Sequence, residues 1–259
     1  MSPNEQPLPD EATRVDPILI DSLDLTISVP CKNEEKNIGG TLDTIVSAVS
    51  EVGCSYEVIV IDDGSTDRTS ELVEQYRREH PLLPIRLHKN PRNVGLSKTY
   101  VNGAFLGRGK YYRFMAGDNA EPREAMVQIL KMMGKADIII PFHEQLTGKS
   151  FIRIAVSKLY TFLVNLFSGN SIRYYNGCAV HLRYNVLRWH SYAYGFGFQA
   201  DMITLLLQQG ATYLQIPVRV GHTNKGRGAS PFHIRNFVST GHTLFEILRR
   251  RINIMLFGQ

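Results

Sequence analysis

Two carboxylates, Asp62 and Asp63, follow directly on an unbroken apolar run, Val58 to Ile61. β-Branched side chains in such a run favour a strand buried on both faces, so the acids fall where a buried strand stops. Gly64 and Ser65 suit a tight turn, and Asp67 suits the cap of a helix starting near Arg68. A purely local role as turn former and cap uses one acid; a second carboxylate at the rim of a buried strand is costly without a partner. Two further clusters share this character: Asn33, Glu34 and Glu35 after Pro30, and Asp118 with Asn119 after a run ending at Ala116. Such acids can hydrogen-bond a base or ribose, and one can hold a divalent cation against a diphosphate. The chain contains neither GxxxxGK[ST] nor GxGxxG, which argues against a P-loop nucleotidase and a dinucleotide oxidoreductase. An activated nucleotide is the ligand these acids imply.

The elements that must position them alternate in type. Leu23 to Pro30 reads as a first strand, and Asn33 to about Val52 as a helix with Ile38, Leu42, Ile45, Val46 and Val49 on one face. Tyr56 to Ile61 is the second strand, followed by a helix over Arg68 to Glu79. Ile85 to His88 is a short strand leading through NPRNVGL to a helix over Ser97 to Leu106. Lys110 to Ala116 is a fourth strand, Pro122 opens the next helix, and Ala136 to Pro141 is a fifth strand. This alternation predicts an α/β fold, a mostly parallel sheet with helices on both faces. In such a sheet, ligands bind at the carboxyl ends of the strands, where all three acidic clusters fall.

Beyond Pro141 the rhythm changes. Ser150 to Phe167 is an apolar helix carrying Arg153 and Lys158, suited to the membrane interface with its basic side chains snorkelling, or to a buried core. No hydrophobic stretch reaches the ~20 residues of a membrane span. Ala211 to His222 reads as a late strand, NKGRGASP as a loop, and His233 to Ile254 as a closing amphipathic helix that ends in Arg249, Arg250 and Arg251. The expected organisation is a polar, Pro-rich tail over 1–22, a catalytic domain over 23–232, and a C-terminal helix over 233–259 that associates with a membrane.

Charge follows the same division. There are 16 basic against 22 acidic residues up to position 145, and 13 against 2 beyond it, within a net charge of +5. The basic C-terminal part implies an anionic partner such as a phosphate or an acidic membrane surface. Nucleic acid is not expected, because basic and aromatic residues do not interleave in a recognisable module. The three cysteines, Cys31, Cys54 and Cys178, form no CxxC pair and no even set, which fits a reducing compartment. The N-terminal residues lack a basic start and an apolar core, so a signal peptide is not expected. None of the eight histidines has metal-binding spacing; His222 is the one placed beside the expected loop.

Read together, SVPCKNEEKNI (Ser28 to Ile38), VIVIDDGSTDRT (Val58 to Thr69), NVGLSK (Asn93 to Lys98), MAGDNAEP (Met115 to Pro122), YYNGCAVHLR (Tyr174 to Arg183) and FGFQADM (Phe196 to Met202) resemble the inverting family 2 glycosyltransferases. Within that family the resemblance is greatest to the dolichyl and undecaprenyl phosphate sugar transferases. It implies a GT-A fold, a Rossmann-like, mostly parallel sheet flanked by helices. It also implies that Pro30, Glu34 and Asp62 or Asp63 hold the base and ribose, with Lys32 and Asn93 in the same nucleotide-binding set. Asp118 corresponds to the second acid of the family's DxD metal motif, whose first acid is here Ala116, and a frequent downstream Gln is here Ala120. The implied cofactor is Mg²⁺ or Mn²⁺, held by Asp118 with the substrate diphosphate and water, or helped by Glu121.

The family's mobile RxxGxS loop matches Lys225 to Ser230, so Lys225 and Arg227 are expected to close over the diphosphate and offset leaving-group charge. Asp201 lies near the family's acidic base position, where a hydroxyl acceptor needs a base and a phosphate acceptor does not. The expected reaction is a hexosyl-type transfer with inversion from a nucleoside-diphosphate sugar, a UDP-sugar, to a polyprenyl phosphate or another membrane-associated acceptor. Lys149, Arg153 and Lys158 would receive an anionic acceptor, with the protein cytoplasmic and peripheral on the inner face of the membrane or bound to a membrane subunit. Two alternatives stay open: transfer to a saccharide hydroxyl, and a non-catalytic nucleotide-sugar-binding protein.

Overall fold

β-Branched runs become the buried strands of one sheet. In the computed structural model, which describes residues 23–143, 151–189, 195–218 and 234–258, the strands are β1 (Leu25–Cys31), β2 (Tyr56–Asp62), β3 (Ile85–Lys89), β4 (Tyr111–Phe114), β5 (Ile138–His143), β6 (Val180–Leu182) and β7 (Tyr213–Val218). Their order is β3-β2-β1-β4-β6-β5-β7. All pairings are parallel except those of β6, which runs antiparallel to both β4 and β5. The expected α/β sheet is therefore present, with one antiparallel strand inside it.

The helices are α1 (Ile38–Val52), α2 (Thr69–Glu79), α3 (Leu96–Leu106), α4 (Arg123–Leu130), α5 (Phe151–Ser168), α6 (Arg183–Leu187), α7 (Phe198–Gln208) and α8 (Ile234–Phe257). Strand side chains alternate between two cores. Leu25, Ile27, Val29, Val58 and Val60 pack with Ile38, Leu42 and Ile45 of α1, Val73 of α2 and Met126 of α4. On the other face Tyr112, Phe114, Ile138 and Ile140 pack with Tyr100 of α3, Val186 of α6, and Phe198 and Met202 of α7. Helix α3 approaches β1 closely because residue 103 is glycine: a methyl there would meet the Ser28 and Tyr112 hydroxyls.

At the end of the sheet away from the acidic clusters, Glu57 is 1% exposed. It accepts hydrogen bonds from the Thr26 hydroxyl at 2.8 Å, the Arg108 N–H at 2.5 Å and the Arg86 guanidinium at 2.7 Å. Burial alone would raise its carboxyl; the bonds from Arg108, Thr26 and Arg86, with the Arg86 charge, outweigh it and hold the carboxyl below the usual glutamate range. A carboxyl lowered on folding stabilises the fold above its unfolded pKa, and that contribution is lost as pH falls through the lowered value. The urea midpoint is expected to drop more steeply in the wild type than in Glu57→Gln as pH falls below about 5. Equal slopes would remove Glu57 from the acid response.

Helix α5 is not a core helix. Val164 is its one fully buried residue among those described, while Phe151, Ile152, Leu159, Phe162 and Leu166 are exposed. By length and composition it is, among the described residues, the one helix apolar enough to cross a membrane. It packs on α8, where the Arg251 guanidinium donates to the Leu166 carbonyl at 2.9 Å and so caps the last turn of α5. Helix α8 exposes Val238, Phe245, Ile252 and Met255, a spacing of about one or two turns that makes a stripe.

Candidate active site

The strand order reverses between β1 and β4, and in open α/β sheets ligands bind at the carboxyl ends of the strands at such a reversal. Register brings the predicted residues to that rim: Cys31 lies opposite Asp62, and Asp62 opposite Lys89. The Gly117 N–H donates to the Pro30 carbonyl at 3.1 Å, which places Asp118 beside the end of β1.

Both central acids are buried, Asp62 5% and Asp63 6% exposed, and both are paired. Asp62 accepts the Ser65 N–H at 2.8 Å on Oδ1 and the Ser70 hydroxyl on Oδ2, which shapes the β2–α2 turn. Asp63 reaches across to the β3–α3 loop and accepts the Asn90 amide at 2.9 Å, the Val94 N–H at 2.8 Å and the Gly95 N–H at 2.9 Å. Their first task is thus to fix two loops of the rim, at the strand-to-helix corner where the acidic pair was expected. A carboxylate oxygen can accept more than one hydrogen bond, so a nucleoside contact remains open to Asp63 Oδ2.

The β1–α1 loop is zipped to the β2–α2 turn. Asn33, in the left-handed region at φ 58°, donates its N–H to the Ser65 hydroxyl at 2.9 Å and accepts the Thr66 N–H at 2.8 Å. The Glu34 N–H donates to Thr69 Oγ1 at 2.8 Å, and the Glu35 N–H to Asp67 at 3.2 Å. The Glu34 side chain accepts the Asn37 amide at 2.8 Å. Burial pushes its carboxyl up, the Asn37 bond offsets part of this, and the negative charges of Asp118 and Asp67 add to the rise. Glu34, Asp67 and Asp118 therefore bear on one another across the rim. Burial, and then the charges of Asp62, Glu34, Asp67 and Asp63, push the Cys31 thiol well above its usual range, so it stays protonated. Lys32 and Asn93 lie exposed on loops of the same edge.

Asp118 is part-buried in the β4–α4 turn, and its Oδ1 accepts the Ala120 N–H at 3.2 Å. Glu121, close by in sequence, is paired elsewhere. Both Glu121 oxygens accept from the Arg113 guanidinium at 2.7 and 2.6 Å, and Arg113 is fully buried in β4. Arg113 also donates from Nε to the Cys178 carbonyl at 2.9 Å, so it ties this turn to the YYNGC segment. Among the described residues no three His, Cys, Asp or Glu side chains converge on one point. The donor set, one hard carboxylate at an acidic rim, fits a Mg²⁺ or Mn²⁺ ion that arrives with a diphosphate and keeps several waters.

Asp201 is not poised as a free base. It is 1% exposed on α7; its Oδ2 accepts the Trp189 indole at 3.1 Å and its Oδ1 the Arg250 guanidinium of α8 at 2.6 Å. Arg250 also donates to the Asp201 carbonyl and to Thr204 Oγ1. Lys225, Arg227 and His222 lie outside the described residues, as does Lys149. Lys158 is exposed on α5, and the Arg153 charge bears on the hydroxyl of the part-buried Tyr174. Sequence reading missed Arg113, Trp189 and Arg250. A lone arginine inside the strand YYRF was the available signal for the first; Arg250 was hidden within an arginine triplet.

Residues 26–188 match the family described as Glycosyl transferase family 2. The chain is 32% identical over 123 residues to the dolichyl-phosphate beta-glucosyltransferase of Dictyostelium discoideum, covering 46% of this chain and 38% of that protein. It is 27% identical over 178 residues to the dodecaprenyl-phosphate galacturonate synthase of Rhizobium johnstonii, covering 66% and 52%. The matched stretch thus spans about half the length or less of these relatives. The crystal structure of glucosyl-3-phosphoglycerate synthase from Mycobacterium tuberculosis with Mn²⁺, UDP and glucosyl-3-phosphoglycerate superposes with a TM-score of 0.59 at 16% identity, covering 89% of this chain and 80% of that one. At that identity the likeness is one of fold, and it agrees with the expected GT-A architecture.

Proposed function

This chain belongs to glycosyl transferase family 2, and from that premise we propose that it transfers a sugar, with inversion, from a UDP-sugar to a polyprenyl phosphate. The observation that carries the choice of acceptor is Asp201, buried with both carboxylate oxygens engaged by Trp189 and Arg250. A hydroxyl acceptor must lose a proton to a base. A phosphate acceptor is already ionised and needs none, so it suits a site whose nearest family-type base is spent on holding two helices together. The relatives named as dolichyl- and dodecaprenyl-phosphate enzymes support the same acceptor class.

In this reading Pro30, Glu34 and Asp63 face the nucleoside, with Lys32 and Asn93 at the margin, while Asp118 faces the diphosphate. A divalent cation bound there would neutralise charge developing on the departing diphosphate. Lys225 and Arg227 would add fixed positive charge to the same group. The acceptor phosphate attacks the anomeric carbon in line with the breaking bond; that carbon inverts, and the nucleoside diphosphate leaves with the bonding electrons. The 23–232 portion carries this chemistry. The exposed apolar side chains of α5 and α8, flanked by Lys158, Arg249 and Arg251, would rest on the cytoplasmic face of a membrane, where the acceptor's phosphate is presented.

The test uses the full chain with radiolabelled UDP- and GDP-sugars, Mn²⁺ or Mg²⁺, and vesicles with or without polyprenyl phosphate. Label is expected in the lipid fraction from a UDP-sugar. Transfer to a soluble saccharide hydroxyl with none to lipid phosphate would overturn the acceptor assignment. Binding of sugar nucleotides with neither transfer nor hydrolysis would favour a binding protein, the reading that Ala116 in place of an acid motivates. Sedimentation is expected to deplete the protein from solution with anionic vesicles and far less with zwitterionic ones.

A further inference from the structure

With Ala116 where the family motif has its first acid, the aim of one carboxylate, Asp118, has to serve the cation side of the site. The turn that carries it is held from outside the motif. Thr41 of α1, fully buried, places its hydroxyl 3.0 Å from the Gly117 carbonyl. One turn further along α1, the Thr44 hydroxyl donates to Asn119 Oδ1 at 3.2 Å. Asn119 itself is left-handed at φ 52°, a conformation that asparagine adopts more readily than most non-glycine residues. Its amide lies over Gly40: a methyl at residue 40 would stand 2.6 Å from the Asn119 nitrogen. On the far side, Glu121 is fastened to the buried Arg113.

We propose that the Gly40–Asn119 contact, with Thr41 and Thr44, positions Asp118, so that α1 sets how well this site takes a cation together with a nucleoside diphosphate. The proposal rests on the reading of Asp118 as the cation-side acid. The bare backbone at residue 40 leaves room for the Asn119 amide beside α1, where the Thr44 hydroxyl holds its oxygen; a methyl at residue 40 would make that amide shift, and with it the turn that carries Asp118. Gly40, Thr44 and Asn119 are positioning residues that act through Asp118. Supports of this kind alter metal affinity about 10- to 100-fold when removed.

The experiment measures Mn²⁺ binding by electron paramagnetic resonance of the free ion, with saturating UDP, on the full-length chain. Gly40→Ala is expected to weaken Mn²⁺ binding about 10-fold while leaving UDP affinity without metal unchanged. Thr44→Val, which removes the hydroxyl with little change of shape, is expected to weaken it about 3-fold and covers the case in which Gly40→Ala folds poorly. Asn119→Gly tolerates φ 52° and removes the amide that a methyl at residue 40 would strike, so Gly40→Ala is expected to add little in that background. Wild-type Mn²⁺ binding in Gly40→Ala and Thr44→Val would overturn the positioning role, as would a Gly40→Ala effect undiminished beside Asn119→Gly. Mn²⁺ binding that ignores Asp118→Asn would instead sink the reading of Asp118, a separate result.

Discussion

Asp118→Asn is expected to lower sugar transfer by about three orders of magnitude while leaving UDP binding without metal within about threefold of wild type. The substitution keeps the shape of the side chain and the acceptor for the Ala120 N–H, so the turn stays folded; only the charge goes. Losing one group that stabilises transition-state charge costs about 10²–10³ in turnover, and here no second motif acid compensates because residue 116 is alanine. Glu121→Gln makes the contrast. That glutamate is bound to the fully buried Arg113, so neutralising it should lower the melting temperature while the Mn²⁺ requirement of the folded fraction changes little. Measuring turnover against Mn²⁺ concentration, with melting curves for each variant, separates the two acids. Equal loss of metal dependence in both variants would return Glu121 to the cation, and unchanged turnover in Asp118→Asn would remove the cation-side role from Asp118.

Strands β1 to β5 were legible in the sequence because each buried strand announces itself by a β-branched or apolar run and ends in a polar turn. Val58 to Ile61 followed by two aspartates is the clearest case, and its register beside Cys31 is what a parallel sheet requires. The inserted strand β6 was missed. Three residues, Val180–Leu182, are too few for any periodicity, and the pairings that make them a strand come from β4 and β5. The site was legible by residue type but less so by role. Asp62 and Asp63 read as ligand contacts, yet their hydrogen-bond partners lie in turns and loops whose approach only the fold settles. Asp201 read as a base because it sits in a family motif; nothing near it in sequence reveals that residue 250 arrives to pair with it. The environment of a buried carboxylate is decided by long-range partners, and these leave no local mark.

The second large effect follows from that pairing. Arg250→Ala is expected to destabilise the protein by about 3–5 kcal/mol, because it leaves the Asp201 carboxylate buried without its cation, and Asp201 is 1% exposed. The Trp189 indole would remain as one neutral donor, too little to hold a charge out of water. Asp201→Asn should cost less, since the amide can still accept from one partner and no uncompensated carboxylate remains. The two variants together also decide between a tie and a base. If Asp201 ties α7 to α8, folded Asp201→Asn transfers sugar to a polyprenyl phosphate at near wild-type turnover, and its loss appears in urea midpoints. If Asp201 takes a proton from a hydroxyl acceptor, Asp201→Asn keeps most of its stability and loses transfer by about 10²–10⁴-fold. Arg250 then matters as well: removing it should weaken the hold on α8, whose Arg251 caps α5. The two helices that expose the apolar surface are in this way fastened through one buried ion pair to the helix behind the site, so vesicle binding and melting temperature should fall together in Arg250→Ala while the Mn²⁺ requirement does not change.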